Sequence, residues 1–272
     1  MKTILVPTDF SNVANQAFEY ALQLADQVDS WIILFHVLPK GHTQQAGDPT
    51  SLEDMQSYGQ AVQKRLGKNI KVIYKFSAGD PLANILEICE ELKPDMVVMG
   101  TEGANGELDQ LMESLTSQVI QLSELPILAI PKGTFYEPIE HIVFATNFEG
   151  DSLEILDRLQ EFTQLLGARI SCVHIKNGYK GWDMLQLELF NDLYQRKVAT
   201  KGLEFYLQSY PDMVEGLNDF MKIKGGDILT MIQREKEIIR PELEKSLIKE
   251  MALHTKKPLL TFQKEAIGQL VS

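Results

Sequence analysis

Hydrophobic residues along the first third of the chain fall into two alternating patterns. In ILVPT (residues 4–8) and IILFHV (32–37) they are nearly consecutive, as a strand covered on both faces requires. Between these runs Ala14, Phe18, Ala21, Leu22, Ala25 and Val28 recur at helical spacing. The same alternation continues. A helix in the range 51–66 leads to NIKVIYKF (69–76), and GDPLANILEICEEL (79–92) reads as a helix with its proline near the start, where a missing N–H costs nothing. DMVVMG (95–100) and PILAIP (126–131) complete a set of five strands. Strands that alternate with helices predict an α/β fold: a parallel sheet with helices on both faces. In such sheets ligands bind beyond the carboxyl ends of the strands, where the strand order reverses.

The pattern then starts again. Residues 2–39 align without a gap on 140–177, so that Ile4 meets Ile142, Thr8 meets Thr146, Phe10 meets Phe148 and His36 meets His174. Residues 95–132 align on 227–264, pairing Asp95 with Asp227, Met99 with Met231, Ser114 with Ser246 and Pro126 with Pro258. HIVFAT, ISCVHI, LEFYLQ, DILTMI and PLLTF are the five strands of the second set. This is a tandem duplication with its joint near GTFYEP (133–138), which predicts two domains, 1–135 and 136–272.

Length and charge narrow the function. A chain of 272 residues is long for one core and comfortable for two. A net charge of −12 argues against nonspecific binding to nucleic acid or to an anionic membrane, both of which need a basic surface. The two cysteines, Cys89 and Cys172, form neither a metal pattern nor a disulfide framework, and Cys89 lies on an apolar helical stripe with Leu82, Ile85, Leu86 and Leu92. The apolar run in MKTILVPTDF is too short for a signal-peptide core, and no other run is long enough to span a bilayer. The expectation is a cytoplasmic protein.

The stretch MGTEGANGELDQLMESLTSQ (99–118) carries the candidate chemistry. A strand runs into Gly100, Gly103 and Gly106 and a helix follows, as in a turn that cradles phosphate; yet the stretch contains Glu102, Glu107, Asp109 and Glu113 and neither lysine nor arginine. Together with VPTDFS after the first strand and HV at the end of the second, this stretch resembles the universal stress protein family. The resemblance covers nearly the whole chain and implies a tandem member. It implies two open five-stranded sheets of order 3-2-1-4-5, adenine nucleotide alpha hydrolase-like. Many members bind ATP and few hydrolyse it more than slightly. Members pair through their last strands, so that residues near 127–131 and 259–262 are expected to abut within the chain or in a homodimer.

The family's nucleotide motif is a glycine, two residues, a glycine, nine residues, then glycine followed by Ser or Thr. Gly100 and Gly103 satisfy its first part, and Glu113 stands where the last glycine is expected, before Ser114. By the resemblance, Pro7, Thr8 and Asp9 line adenine and ribose, and Val37 meets the base through its backbone. Met99 and Gly100 floor the pocket, while Ser114, Leu115 and Thr116 offer hydroxyls and N–H groups to phosphate. The first half thus keeps the base end of the site and alters the phosphate end. A carboxylate about 5 Å from a phosphate charge costs on the order of 3 kcal/mol at an effective dielectric of about 20. AMP is therefore expected to be tolerated better than ATP, unless Mg²⁺ bridges carboxylate and phosphate. The second half places Ile232, Glu235 and Asn147 where the first has Gly100, Gly103 and Asp9, and its loop has no glycine and gains Pro241; no nucleotide is expected there.

Plainer roles stand beside these. Asp9 caps a turn or the first helix, Ser114 caps a helix, and His36 and His174 are inherited structural positions at strand ends. No Ser–His–Asp spacing, HExxH, paired-cysteine or Rossmann signature occurs. The sequence therefore points to a noncatalytic stress-response protein with weak adenine-nucleotide binding in its first domain and an unnamed protein partner. A nucleotide-independent scaffold and a slow ATP hydrolase are the alternatives.

Overall fold

A computed structural model describes residues 1–39, 51–102, 114–147, 150–178, 184–185, 187–189, 192, 203–233 and 247–263. The chain divides into two compact units, Met1–Glu137 and Pro138–Ser272.

In the first unit the strands are β1 (Thr3–Thr8), β2 (Trp31–Pro39), β3 (Val72–Gly79), β4 (Met96–Thr101) and β5 (Ile127–Pro131). The helices are α1 (Asn12–Gln27), α2 (Leu52–Leu66), α3 (Pro81–Leu92) and α4 (Leu115–Leu122). The strand order is β3-β2-β1-β4-β5 and every pairing is parallel. The second unit repeats it with β6 (His141–Ala145), β7 (Arg169–Lys176), β8 (Leu203–Ser209), β9 (Ile228–Gln233) and β10 (Leu259–Gln263), in the order β8-β7-β6-β9-β10. Its helices include α5 (Gly150–Leu166), α6 (Met213–Lys224) and α7 (Leu247–His254). The doubly wound order of five parallel strands expected from the sequence is present in both units.

The central strands carry the core because both their faces are covered. Ile4, Leu5, Val6, Leu34, Val97, Val98 and Leu128 are wholly buried in the first unit, as are Ile142, Val143, Phe144, Leu229 and Leu260 in the second. Local chemistry sets the helix ends. The Ser11 hydroxyl accepts the Ala14 N–H at the start of α1, and Asp80 accepts the Ala83 N–H at the start of α3, with Pro81 following it. Gly67 and Gly225 end α2 and α6 in the left-handed region, at φ 64° in each case.

Candidate functional site

In both units the first strand lies between the second and the fourth, so the order reverses beside it. The turn after β1 and the turn after β4 therefore leave neighbouring strands at the same end of the sheet. Ile4 pairs with Met96 and Leu5 with Val97. The same register carried forward sets Thr8 beside Gly100.

The turn after β1 is tightly built. The Thr8 hydroxyl accepts the Phe10 N–H at 3.0 Å, and the Asp9 carboxylate accepts the Ser11 N–H at 3.0 Å. Asp9 thus shapes a turn, and Ser11 caps the helix. Asp9 is exposed, with a second carboxylate oxygen available to solvent or ligand. Phe10 takes φ 60°, a left-handed conformation that a bulky residue rarely adopts. Packing holds it there. Its ring lies 4.9 Å from the His36 ring and 5.3 Å, edge-on, from Tyr58, and its carbonyl accepts the Asn15 amide at 2.9 Å. Tyr58 of α2 in turn donates to the side-chain amide oxygen of Asn15 at 2.5 Å, and burial, then the Glu19 carboxylate, pushes its phenol well above the ordinary range.

His36 Nδ1 lies 2.7 Å from the Thr8 carbonyl oxygen. A carbonyl only accepts, so Nδ1 carries the proton and the ring pins β2 to the end of β1. His174 repeats this bond to the Thr146 carbonyl at 2.9 Å in the second unit. Both histidines therefore tie the second strand of their unit to the end of the first.

Val37 follows His36, and its side chain is buried. Its backbone direction can be read from the ladder. The Trp31 N–H bonds to the Lys2 carbonyl and the Ile32 N–H to the Lys71 carbonyl, so odd-numbered residues of β2 face β1. The β1–β2 pairing stops at Thr8 with His36, whereas β2–β3 pairing runs on to Pro39 with Gly79. Val37 thus turns its main-chain groups to the β1 side: the register that sets the Trp31 N–H on Lys2 sets the Val37 N–H on the Thr8 carbonyl, and the Phe10 N–H that could meet the Val37 carbonyl is already taken by the Thr8 hydroxyl.

At the end of β4 two of these residues make close structural contacts. Gly100 packs directly against α1: a Cβ built there would lie 2.5 Å from the Val13 carbonyl oxygen. Its lack of a side chain serves helix–sheet packing. The Thr116 hydroxyl is buried and donates to the Gly100 carbonyl at 2.7 Å, so it is committed to the strand. Ser114 accepts the Ser117 N–H at 3.1 Å as the N-cap of α4, Leu115 is partly exposed beside it, and Met99 is buried in β4. Pro7 is buried at the end of β1. Gly103, Gly106, Glu107, Asp109 and Glu113, most of the loop 40–55, and Phe148, Glu235 and Pro241 lie outside the described residues.

Glu102 is accompanied. The Lys132 ammonium lies 3.7 Å from its carboxylate. The glycine-rich stretch itself holds no cation, but β5 is the neighbour of β4, and the first residue after β5 is this lysine. Strand order combined with the sequence IPKG carries that signal; reading the loop alone misses it. In the second unit Ile232 lies in β9 opposite Phe262, and the Thr146 hydroxyl donates to the Ser152 hydroxyl at 2.7 Å.

The family model described as the universal stress protein family matches residues 1–131. A universal stress protein of Synechocystis sp. is 31% identical over 136 residues, which cover 48% of this chain and 85% of that protein. One from Methanocaldococcus jannaschii is 28% identical over 140 residues, covering 48% and 82% respectively. In fold, the chain is similar to the crystal structure of a universal stress protein from Archaeoglobus fulgidus, with a TM-score of 0.73 and 16% identity over 96% of this chain and 98% of that one. No helix among the described residues is long and apolar enough to cross a membrane. A doubly wound sheet with this turn after its first strand, matched along most of a relative's length, makes the chain a member of the universal stress protein family.

Proposed function

We propose that the first unit binds an adenine nucleotide at the carboxyl ends of β2, β1 and β4, and that the protein acts in stress response as a nucleotide-responsive binding protein rather than as an enzyme. The orientation of Val37 carries this reading. Its main-chain carbonyl, left on the β1 side by the turn that engages the Phe10 N–H, suits adenine, whose exocyclic amino group donates. Thr8 and Asp9 stand beside that carbonyl where a ribose would follow.

The polar groups around it favour binding over catalysis. Asp9 accepts a turn N–H, His36 is held by a carbonyl, and Thr116 is bonded to β4. The second unit, with Ile232 and Asn147 at the matching positions, serves protein contact and takes no nucleotide on this reading.

Calorimetric titration of the whole chain with AMP, ADP, ATP and GTP, each with and without magnesium, tests it. Adenine nucleotides are expected to bind at one site per chain and GTP to fail. Absence of heat and of thermal shift with every adenine nucleotide overturns the proposal in favour of a nucleotide-independent scaffold.

A further inference from the structure

We infer that Lys132 reads the phosphate end of the nucleotide and sets the number of phosphates the first unit prefers. This rests on the nucleotide reading above and adds to it a direction and a discriminating residue.

The direction comes from the strand order. The base edge is on β2 at Val37, the turn for the sugar leaves β1 at Thr8 and Asp9, and Lys132 follows β5, with β4 between. Neighbouring strands lie about 4.8 Å apart, so β2 and β5 are separated by roughly 14 Å. A ligand whose base sits at β2 and whose sugar lies over β1 extends its phosphates across β4 toward β5. A monophosphate ends short of β5, whereas the terminal phosphate of a diphosphate or triphosphate comes within reach of a lysine there.

Lys132 is built for that place. Its backbone N–H donates to the Thr101 carbonyl at 2.9 Å, which fixes it beside the end of β4. The next turn is clamped as well: Gln16 of α1 accepts the Gly133 N–H at 2.9 Å and donates to the Thr134 carbonyl. The backbone is therefore held on both sides while the side chain, 53% exposed, remains movable. Among the described residues at the ends of β1, β4 and β5, and in the turns that follow, Lys132 is the only cation.

Its partner in the structure, Glu102, is 62% exposed at 3.7 Å, and an ion pair in water at this distance contributes little. A terminal phosphate carries more charge and more acceptor oxygens than one carboxylate, so the ammonium transfers to it at small cost. Glu102 then acts as the opposing element, repelling the phosphates that Lys132 attracts. The pair is a charge comparator at the mouth of the site.

The test uses the whole chain as Lys132→Met and Glu102→Gln variants, titrated with AMP, ADP and ATP at low salt and again at high salt. Both positions are exposed, and unchanged melting without ligand verifies folding. Lys132→Met is expected to weaken ATP and ADP about five- to tenfold and AMP by less than about twofold, the scale of one charge near the surface. Glu102→Gln is expected to tighten ATP by a similar factor, and both effects shrink at high salt. Equal weakening of all three nucleotides, or none, overturns the role of Lys132 while leaving nucleotide binding intact. Failure of the unaltered chain to bind any of them overturns the binding reading itself, and this inference with it.

Discussion

The Asp95 carboxylate accepts the backbone N–H of Thr3 at 2.8 Å across 92 residues of sequence, and the same oxygen accepts the Lys2 N–H at 2.9 Å. The residue before β4 thereby holds the start of β1, the strand it must lie beside. Asp227 does the same in the second unit, accepting the Glu140 and His141 N–H groups at 2.9 Å each. Replacing either aspartate with alanine removes the acceptor for a part-buried N–H. We expect a loss of about 1–2 kcal/mol, read as a lower urea midpoint. Asparagine keeps an acceptor and should cost less than alanine, since only the charge-assisted part is lost. Equal losses for alanine and asparagine would show that charge alone matters.

Gly100 gives a prediction that separates packing from ligand binding. Alanine there drives a methyl group against the Val13 side chain and carbonyl oxygen, both 2.5 Å from the built Cβ. Overpacking of this kind costs about 1–3 kcal/mol. The Val13→Ala change should restore only part of that, because the carbonyl stays. Thermal melting of the single and double variants without nucleotide checks this; a Gly100→Ala protein of unaltered stability would return the glycine to a ligand role.

The elements and their order were legible in the sequence because consecutive apolar runs and helical spacing are strong, local signals, and the repeat reported them twice. The role of Gly100 was not legible. A glycine at a strand end fits a phosphate cradle or a close helix equally well, and only the position of Val13 decides between them. Asp95 and Asp227 were visible as aligned residues, but which N–H each would accept depends on β1 lying beside β4. Lys132 was hidden for the same reason: it is near Glu102 in the sheet and distant in the chain. The bond from the Thr116 hydroxyl to the Gly100 carbonyl likewise depends on α4 packing beside β4. Side-chain direction, unlike residue type, follows from tertiary packing.

Both thiols should be silent in the native protein. Cys89 is buried in α3, and burial pushes its thiol up to about 12, outweighing the hydrogen bond with Ser123. Cys172 is wholly buried in β7, and burial raises its thiol further still. The thiolate is the reactive form, so alkylation at pH 8 is expected to be far slower than for a free thiol. In denaturing urea both cysteines should label at the ordinary rate. Mass spectrometry after timed alkylation reads each site; rapid native labelling of either would show that its element opens readily.

His141 makes the second unit sensitive to acid. It is 1% exposed at the start of β6, with Nδ1 3.1 Å from the Lys224 carbonyl and Nε2 2.8 Å from the Ser171 hydroxyl. The carbonyl fixes the proton on Nδ1, so Nε2 accepts from Ser171. Burial, and then the Arg169 guanidinium, lower its pKa; the Lys224 and Gly225 carbonyls and the Asp227 carboxylate oppose this without cancelling it. A lowered pKa means that the unfolded chain takes up this proton more readily than the folded one. The contribution of neutral His141 is therefore complete above the unfolded value of about 6.5 and is lost as pH falls below it toward the folded value. In a His141→Gln variant this dependence disappears, while the carboxylates titrate as before. The stability advantage of the unaltered chain over the variant should accordingly narrow between pH 7.5 and pH 5, measured by urea unfolding at each pH. A gap that stays constant or widens would show that His141 is protonated in the fold, with Ser171 accepting from it and passing its own hydrogen bond to Glu204, whose carboxylate lies 3.4 Å away.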